Sequence, residues 1–152
     1  MPGMIRIREA VSEDLAALGR LFDEYRQFYK LPTGVERATE YITARLAAGD
    51  SVVLVATEDS EQLLGFTQLY PTWCSLLAAP VYVLYDLYVS PRARRHGVAR
   101  ALLEAAAERA RRDGKLRMTL STAKTNVNAQ ALYESLGWGR DNEFYVYNLS
   151  PS

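Results

Sequence analysis

The chain has 152 residues, the length of one ordinary domain, and its 49% hydrophobic and 24% charged residues exclude a disordered polymer and leave enough apolar material for a buried core. Eighteen basic residues balance eighteen acidic ones, so no whole-surface attraction to nucleic acid or to an anionic membrane operates, and any charge-driven partner must be met by a local patch. A single cysteine, Cys74, and a single histidine, His96, exclude an internal disulfide and a His/Cys metal cluster, so no metal site is expected.

The N-terminal stretch Met1-Pro2-Gly3-Met4-Ile5-Arg6 carries no apolar core followed by a small-residue cleavage site, and no run reaches the ~20 apolar residues of a membrane span. The expected setting is a soluble protein of the reducing cytoplasm. Cys74 has no strong base near it in sequence and reads as a buried thiol rather than a nucleophile.

Along the chain, Met4 to Arg8 alternate as a strand does, and Ser12 followed by Glu13 and Asp14 is a helix start. Leu15, Leu18, Phe22, Tyr25 and Phe28 then recur at helical spacing, up to a stop at Pro32 and Gly34. A second helix from about Val35 to Ala48 is carried by Ala38, Tyr41, Ile42 and Leu46 and ended by Gly49. The β-branched run Val52 to Ala56, the polar turn Glu58 to Glu61 and the run Leu63 to Tyr70 predict a hairpin. Past Pro71 lies an apolar connection, then a long strand from Val81 to Val89, stopped by Ser90 and Pro91.

Helical period returns from Val98 to Arg112 through Leu102, Leu103, Ala106 and Ala110, and Gly114 caps it. Leu116 to Leu120 is a short strand. Asn126 opens a helix carrying Ala129, Leu132, Tyr133 and Leu136, closed by Gly137, and Phe144 to Leu149 is a last strand. Strands flanking each C-terminal helix make parallel crossovers, whereas the hairpin is antiparallel. The predicted fold is therefore α/β, one domain over residues 1–152, with a mixed central sheet of about six to seven strands flanked by about four helices.

The most informative stretch runs from Tyr85 to Arg100. A strand enters an arginine-rich turn and then a helix whose start contains Gly97 and Ala99. Such a junction aims backbone N–H groups and the positive end of a helix dipole at one spot, where small residues let an anion approach. Neither the P-loop pattern nor the Gly-x-Gly-x-x-Gly fingerprint is present. Residues 91–117 hold nine basic side chains against three acidic, and the rest of the chain nine against fifteen, so the neutral total hides a strongly polar molecule. The plain alternative is a tight turn among solvated arginines.

Arg94-x-x-Gly97-x-Ala99 after a strand resembles the Arg/Gln-x-x-Gly-x-Gly/Ala signature of the GNAT superfamily of N-acetyltransferases. Downstream, Asn126 followed by Ala129-Gln-Ala-Leu-Tyr133 and Leu136-Gly137-Trp138 is similar to the second signature of that family. The resemblance implies that acetyl-coenzyme A binds as cosubstrate, with its pyrophosphate on the backbone amides of Arg94, Arg95, His96, Gly97, Val98 and Ala99. It implies further that Leu87 and Val89 pair through their main chain with the pantetheine arm, which requires an open strand edge there. Asn126 would touch the cosubstrate, or serve only as a helix N-cap.

Acetyl transfer to an amine needs a neutral nucleophile, a donor for the oxyanion and an acid for the departing thiolate. The resemblance makes Tyr133 the acid, against a plain reading as a core aromatic. Asp86, inside an otherwise apolar and aromatic strand, is the candidate base, against a structural hydrogen bond. A backbone N–H near Leu87 would receive the oxyanion.

Residues 1–90 carry seven basic and twelve acidic side chains, and Asp23, Glu24, Tyr25, Tyr29, Glu36, Glu40 and Tyr41 lie on or beside the first two helices. Carboxylates with aromatics suit a cationic amine. The expected acceptor is a small primary amine, polyamine-like or amino-sugar, with a protein lysine or N-terminus as the runner-up. A non-catalytic acetyl-coenzyme A sensor is a second class of reading. A nucleic-acid binder is a third, and it lacks aromatics interleaved with the arginines. Trp73, Leu76, Leu77, Val81 and Tyr82 supply either a homodimer interface or simply core.

Overall fold

In a computed structural model that describes residues 4–151, the chain divides into two compact units, one ending at Leu120 and the other starting at Ser121. Met1 to Gly3, which open the N-terminal stretch considered above, lie outside the described residues, as does Ser152.

The first unit is built on a five-stranded sheet in the order β1 (Arg6–Glu9), β2 (Val52–Thr57), β3 (Leu63–Cys74), β4 (Ala79–Val89) and β5 (Met118–Thr119). Neighbours are antiparallel except β4 and β5, which are parallel and joined through α3 (Val98–Arg112). The sheet is thus mixed and the unit α/β, as predicted. β2 is buried along its whole length, which suits its unbroken apolar run, because a strand covered on both faces has no wet side to alternate with. Leu18, Leu21 and Phe22 of α1 (Leu15–Phe28), with Ala38 and Ile42 of α2 (Val35–Ala48), meet Val53, Val55, Phe66 and Tyr88 in one core cluster. Helix α3 buries Val98, Leu102, Leu103, Ala106 and Ala110 apart from that cluster, and it packs on β1 to β4.

Helices α1 and α2 approach closely at Gly19, where a Cβ would stand 2.1 Å from Thr39 Oγ1 and 2.9 Å from Thr39 Cβ. Gly19→Ala is expected to force the helices apart and to cost about 1–3 kcal/mol in urea unfolding, with part of the loss recovered by adding Thr39→Ala. An unchanged unfolding midpoint would show that this contact does not set the helix spacing.

Several elements differ from those predicted. Helix α1 begins at Leu15, because Ser12–Asp14 forms a 3-10 turn in which Asp14, not Ser12, closes the entry. Its carboxylate accepts the Val11 N–H at 2.8 Å and pairs with Arg8 at 2.7 Å. The connection after Pro71 is a second hairpin, since β3 continues to Cys74 and pairs with β4 from Ala79. Pro71 is tolerated there because the β2 ladder ends at the Val52–Leu69 pair, so its missing N–H faces no partner strand.

The strand predicted from Leu116 to Leu120 contracts to Met118–Thr119. The strand predicted from Phe144 to Leu149 is not formed. Alternation belongs to the sequence, but a strand also needs a ladder, and among the described residues this segment has none. The sheet therefore has five strands rather than six to seven.

In the second unit, Asn126 caps α4 (Val127–Ser135) by accepting the Ala129 N–H at 3.2 Å. The helix closes through Gly137 N–H to the Glu134 carbonyl at 3.1 Å and Trp138 N–H to the Tyr133 carbonyl at 3.0 Å, the paired bonds of a Schellman end. Among the described residues, no helix is long and apolar enough to cross a membrane.

Candidate functional site

The chemistry of the first unit gathers on β4. Between the pairs Gln68–Asp86 and Leu69–Leu84 the β3–β4 register slips, leaving Tyr85 as an extra, unpaired residue. A bulge of this kind bends the strand and frees a backbone carbonyl. The Tyr85 carbonyl accepts from the Tyr25 hydroxyl at 3.3 Å, and the Tyr85 ring stands edge-on to Tyr70 at 5.5 Å.

Next to the bulge, Asp86 is only 5% exposed. Its Oδ2 accepts from Gln68 Nε2 at 2.8 Å, and Gln68 Oε1 accepts from Ser51 Oγ at 2.8 Å. Gln68 is fully buried. Burial pushes the Asp86 carboxyl above the ordinary carboxylate range, and the hydrogen bonds from Gln68 and Tyr25 only partly oppose it. The cost of enclosing this carboxylate is thus met by the Gln68 amide and the Tyr25 hydroxyl and, among the described residues, by no ion pair.

Asp86 lines an open pocket of about 420 Å³ whose other walls are mostly aromatic. Helix α1 contributes Phe22, Tyr25 and Arg26, and Tyr29 at its C-cap continues the same face. Tyr41 comes from α2, Tyr70 from β3, and Leu31 from the turn between the helices. Phe22 stacks on Tyr41 at 5.5 Å, and the Tyr41 and Tyr70 hydroxyls are hydrogen-bonded to each other. Burial, reinforced by the charge of Asp86, raises the Tyr25 and Tyr70 phenols far above their ordinary value, so both are protonated donors at neutral pH. A larger concavity of about 550 Å³ draws its whole lining from α2 and is the flank of that helix rather than a site between elements.

The acidic residues expected to attract a cation divide. Asp23, 2% exposed, accepts from Gly34 N–H at 2.7 Å, Thr33 Oγ1 at 2.9 Å and Gln27 Nε2 at 2.9 Å. Burial raises its pKa, but these bonds and the charge of Arg26 outweigh burial and hold it below the usual range. Its role is to pin the α1–α2 turn. Glu24 accepts from the Tyr88 hydroxyl at 3.2 Å, and Glu36 and Glu40 lie on the outer flank of α2. Asp86 is therefore the carboxylate of the pocket. Gln68, Tyr70 and Tyr85 were missed in the sequence, although a glutamine inside the apolar run Leu63 to Tyr70 is a usable signal, since a buried amide needs a partner.

Beyond Asp86, the outer edge of β4 is bare. The Ser90 N–H bonds to the Leu64 carbonyl on β3, so by strand alternation the backbone groups of Leu87 and Val89 point to the other edge. There β5 pairs only with Tyr82 and Val83. Among the described residues no strand pairs with β4 on that side beyond Val83. One group on it is engaged, because Arg94 Nε donates to the Val89 carbonyl at 3.1 Å while the guanidinium lies over the Tyr88 ring.

The turn that follows places Arg95 at φ +67° and Gly97 at φ +80°, and α3 starts directly behind Gly97. The first intrahelical bond is from Ala101 N–H to the Gly97 carbonyl at 3.0 Å, so the amides of Val98 and Ala99 lie ahead of the helical ladder. No side chain caps this end, and a Cβ built on Gly97 would meet nothing within 4 Å, so the space before it is open. Arg95 and His96 are exposed, whereas the Val98 side chain is core.

Asn126 and Tyr133 belong to the second unit. Asn126 is an N-cap, and Tyr133 sits on α4 with its ring 6.3 Å from Trp138. Cys74 is not the buried thiol expected. It is half-buried at the end of β3, where the backbone N–H groups of the β3–β4 turn and the charge of Arg117 lower its pKa. Among the described residues, no group of His, Cys, Asp and Glu is arranged to hold a metal ion.

Comparison with known proteins points to one family. The profile of the Acetyltransferase (GNAT) family matches residues 18–138. The uncharacterized N-acetyltransferase YhfO of Bacillus subtilis (strain 168) is 40% identical over 146 residues, which cover 96% of this chain and 97% of that protein. The crystal structure of a probable acetyltransferase superposes with a TM-score of 0.90 at 41% identity, covering 97% and 98% of the two chains. A predicted acetyltransferase from Clostridium acetobutylicum, solved with acetyl-CoA, shares the fold with a TM-score of 0.76 at 17% identity over 95% and 96%.

Proposed function

This chain belongs to the acetyltransferase (GNAT) family, and we propose that it transfers an acetyl group from acetyl-coenzyme A to the primary amine of a small acceptor bound in the tyrosine pocket. The observation that carries the reading is a juxtaposition on β4, where Asp86 faces the pocket and the next residues, Leu87 to Val89, leave their backbone edge open. We read residues 1–152 as one catalytic domain, because the family match runs through both compact units.

The residues suit the cosubstrate. The backbone amides of Val98 and Ala99, at the positive end of a 15-residue helix and behind a glycine with open space before it, suit a pyrophosphate. The backbone groups of Leu87 and Val89 suit an extended amide-bearing arm laid along the edge, as an added strand would lie. When bound, acetyl-coenzyme A supplies the activated thioester.

The acceptor arrives as an ammonium ion, and the tyrosine and phenylalanine faces favour a cation. Asp86 removes the ammonium proton, a task that burial suits it for by raising its pKa toward the working pH. The amine nitrogen then bonds to the acetyl carbon, a backbone N–H near Leu87 steadies the oxyanion, the carbon–sulfur bond breaks as Tyr133 donates its proton to the sulfur, and the second proton that the nitrogen sheds in becoming an amide restores the phenol. Polyamine-like and amino-sugar acceptors both suit a cation-binding pocket. A homodimer would find apolar surface at the β3–β4 turn, where Trp73 is 76% and Leu76 89% exposed, whereas Val81 and Tyr82 are core.

Free-thiol release from acetyl-coenzyme A with a panel of amines, beside direct cosubstrate binding, tests the reading. Tyr133→Phe is expected to lower kcat about tenfold with binding retained. The effect is modest because a thiol of pKa about 8.5 is a fair leaving group without full protonation. Binding without turnover on any amine would favour the sensor reading, and failure to bind would overturn the assignment of the cosubstrate site.

A further inference from the structure

The pocket holds a second charged group that the reaction as described does not use. Arg26 lines it, half-buried, one residue along α1 from Tyr25. Among the described residues its guanidinium enters no ion pair. It is near enough to Asp23 to help hold that carboxyl ionised, but Asp23 is already bonded to Gly34, Thr33 and Gln27. Glu24 is engaged by Tyr88. The cavity therefore presents one carboxylate, Asp86, and one guanidinium, Arg26, set among aromatic walls.

Opposite charges in one small cavity describe the ligand by complementarity. A half-buried guanidinium facing an apolar space loses hydration that an anion would restore, and its planar fork matches a carboxylate in two parallel hydrogen bonds. A polyamine would bring a second ammonium toward Arg26, and like charges repel. We propose, resting on the acetyl-transfer reading above, that the acceptor is a free amino acid, with the amine to be acetylated at Asp86 and the carboxylate on Arg26.

The walls of Phe22, Tyr29 and Tyr41 take the apolar part of the acceptor, and a cavity of about 420 Å³ suits a molecule of that size. The ammonium loses one proton to Asp86, its nitrogen bonds to the acetyl carbon and sheds a second proton in becoming an amide, and the carbon–sulfur bond breaks with one proton, supplied through the acid, ending on the sulfur. The carboxylate takes no part in bond making and acts only in binding.

The test uses matched pairs: lysine and cadaverine, ornithine and putrescine, tyrosine and tyramine, phenylalanine and phenethylamine. Each amino acid is compared with the amine left when its carboxylate is removed, by thiol release, in the wild type and in Arg26→Gln and Arg26→Lys. For at least one pair the wild type is expected to favour the amino acid by about tenfold or more in kcat/KM. Arg26→Gln should collapse that ratio toward one through a rise in KM for the amino acid, and Arg26→Lys should restore part of it, which a purely structural role for Arg26 would not produce.

Equal or better use of the decarboxylated partner in every pair, or equal loss on both partners in Arg26→Gln, would overturn the proposal while leaving acetyl transfer to amines intact. Absence of turnover with every compound, in protein that binds acetyl-coenzyme A, would overturn the transfer reading and this one with it.

Discussion

Asp86→Asn is expected to lower kcat/KM by about 10²- to 10⁴-fold near neutral pH, the range for removal of a general base, while leaving the protein as stable as before or more so. The two effects oppose each other for one reason. Asp86 is enclosed with two neutral donors, Gln68 and Tyr25, and, among the described residues, no ion pair, and burial outweighs them, so the ionised form that catalysis needs is the form that the folded state disfavours. Asparagine keeps an oxygen to accept from Gln68 Nε2 and has no charge to bury.

Burial raises the folded pKa of Asp86 above its unfolded value, so between those two values the folded protein binds more protons than the unfolded chain. In that window the stability of the wild type falls as pH rises, and that dependence should be absent in Asp86→Asn. Activity should run the other way, climbing with pH along a limb that reports the raised pKa and that the mutant lacks. Thermal melts at acidic and neutral pH, set beside pH–rate profiles of both proteins, check both signs. A mutant that is less stable and still has a pH-dependent rate would make Asp86 a structural residue instead of the base.

What could be read from the chain follows from how local each signal is. The arginine-rich turn into α3 was legible because its determinants, Gly97, Ala99 and the strand before them, are adjacent in sequence and act through backbone geometry. The β2–β3 hairpin was legible for the same reason. Asp86 stood out because a carboxylate in an apolar strand needs an explanation.

The pocket itself was not legible, since its walls come from α1, α2, β3 and β4, and the bulge that frees Tyr85 is a mismatch of register between two strands, which neither strand shows alone. Asp23 misled for a related reason. Its place among the acids of the first two helices suggested a carboxylate for a cationic acceptor, whereas its partners Thr33 and Gly34 are brought to it only by the turn that it pins. The alternation in Phe144 to Leu149 likewise described an ability to pair, and among the described residues the segment has no ladder partner.

Gly97→Val is expected to weaken binding of acetyl-coenzyme A about 100-fold or more with a fall of only a few degrees in melting temperature. Two independent features converge at this residue. Gly97 sits at φ +80°, where a β-branched side chain costs roughly 1–2 kcal/mol or more, and Arg95 already holds a positive φ of +67° two residues earlier. The turn has little freedom to absorb a second strained residue except by rotating the amides that open α3. A side chain at Gly97 would also stand in the open space before those amides, so valine would occupy the ground where a phosphate approaches.

The loss of stability should be confined to that backbone penalty, because the residue is exposed and no packed neighbour lies within 4 Å of the new Cβ. Gly97→Ala, with the same φ penalty in milder form and less bulk, should fall between the two. Titration calorimetry at two salt concentrations separates the causes, since loss of an anion site reduces the salt dependence of binding as well as the affinity. Unchanged affinity in Gly97→Val would remove the α3 start from the cosubstrate site and leave the open edge of β4 as the part of the reading still standing.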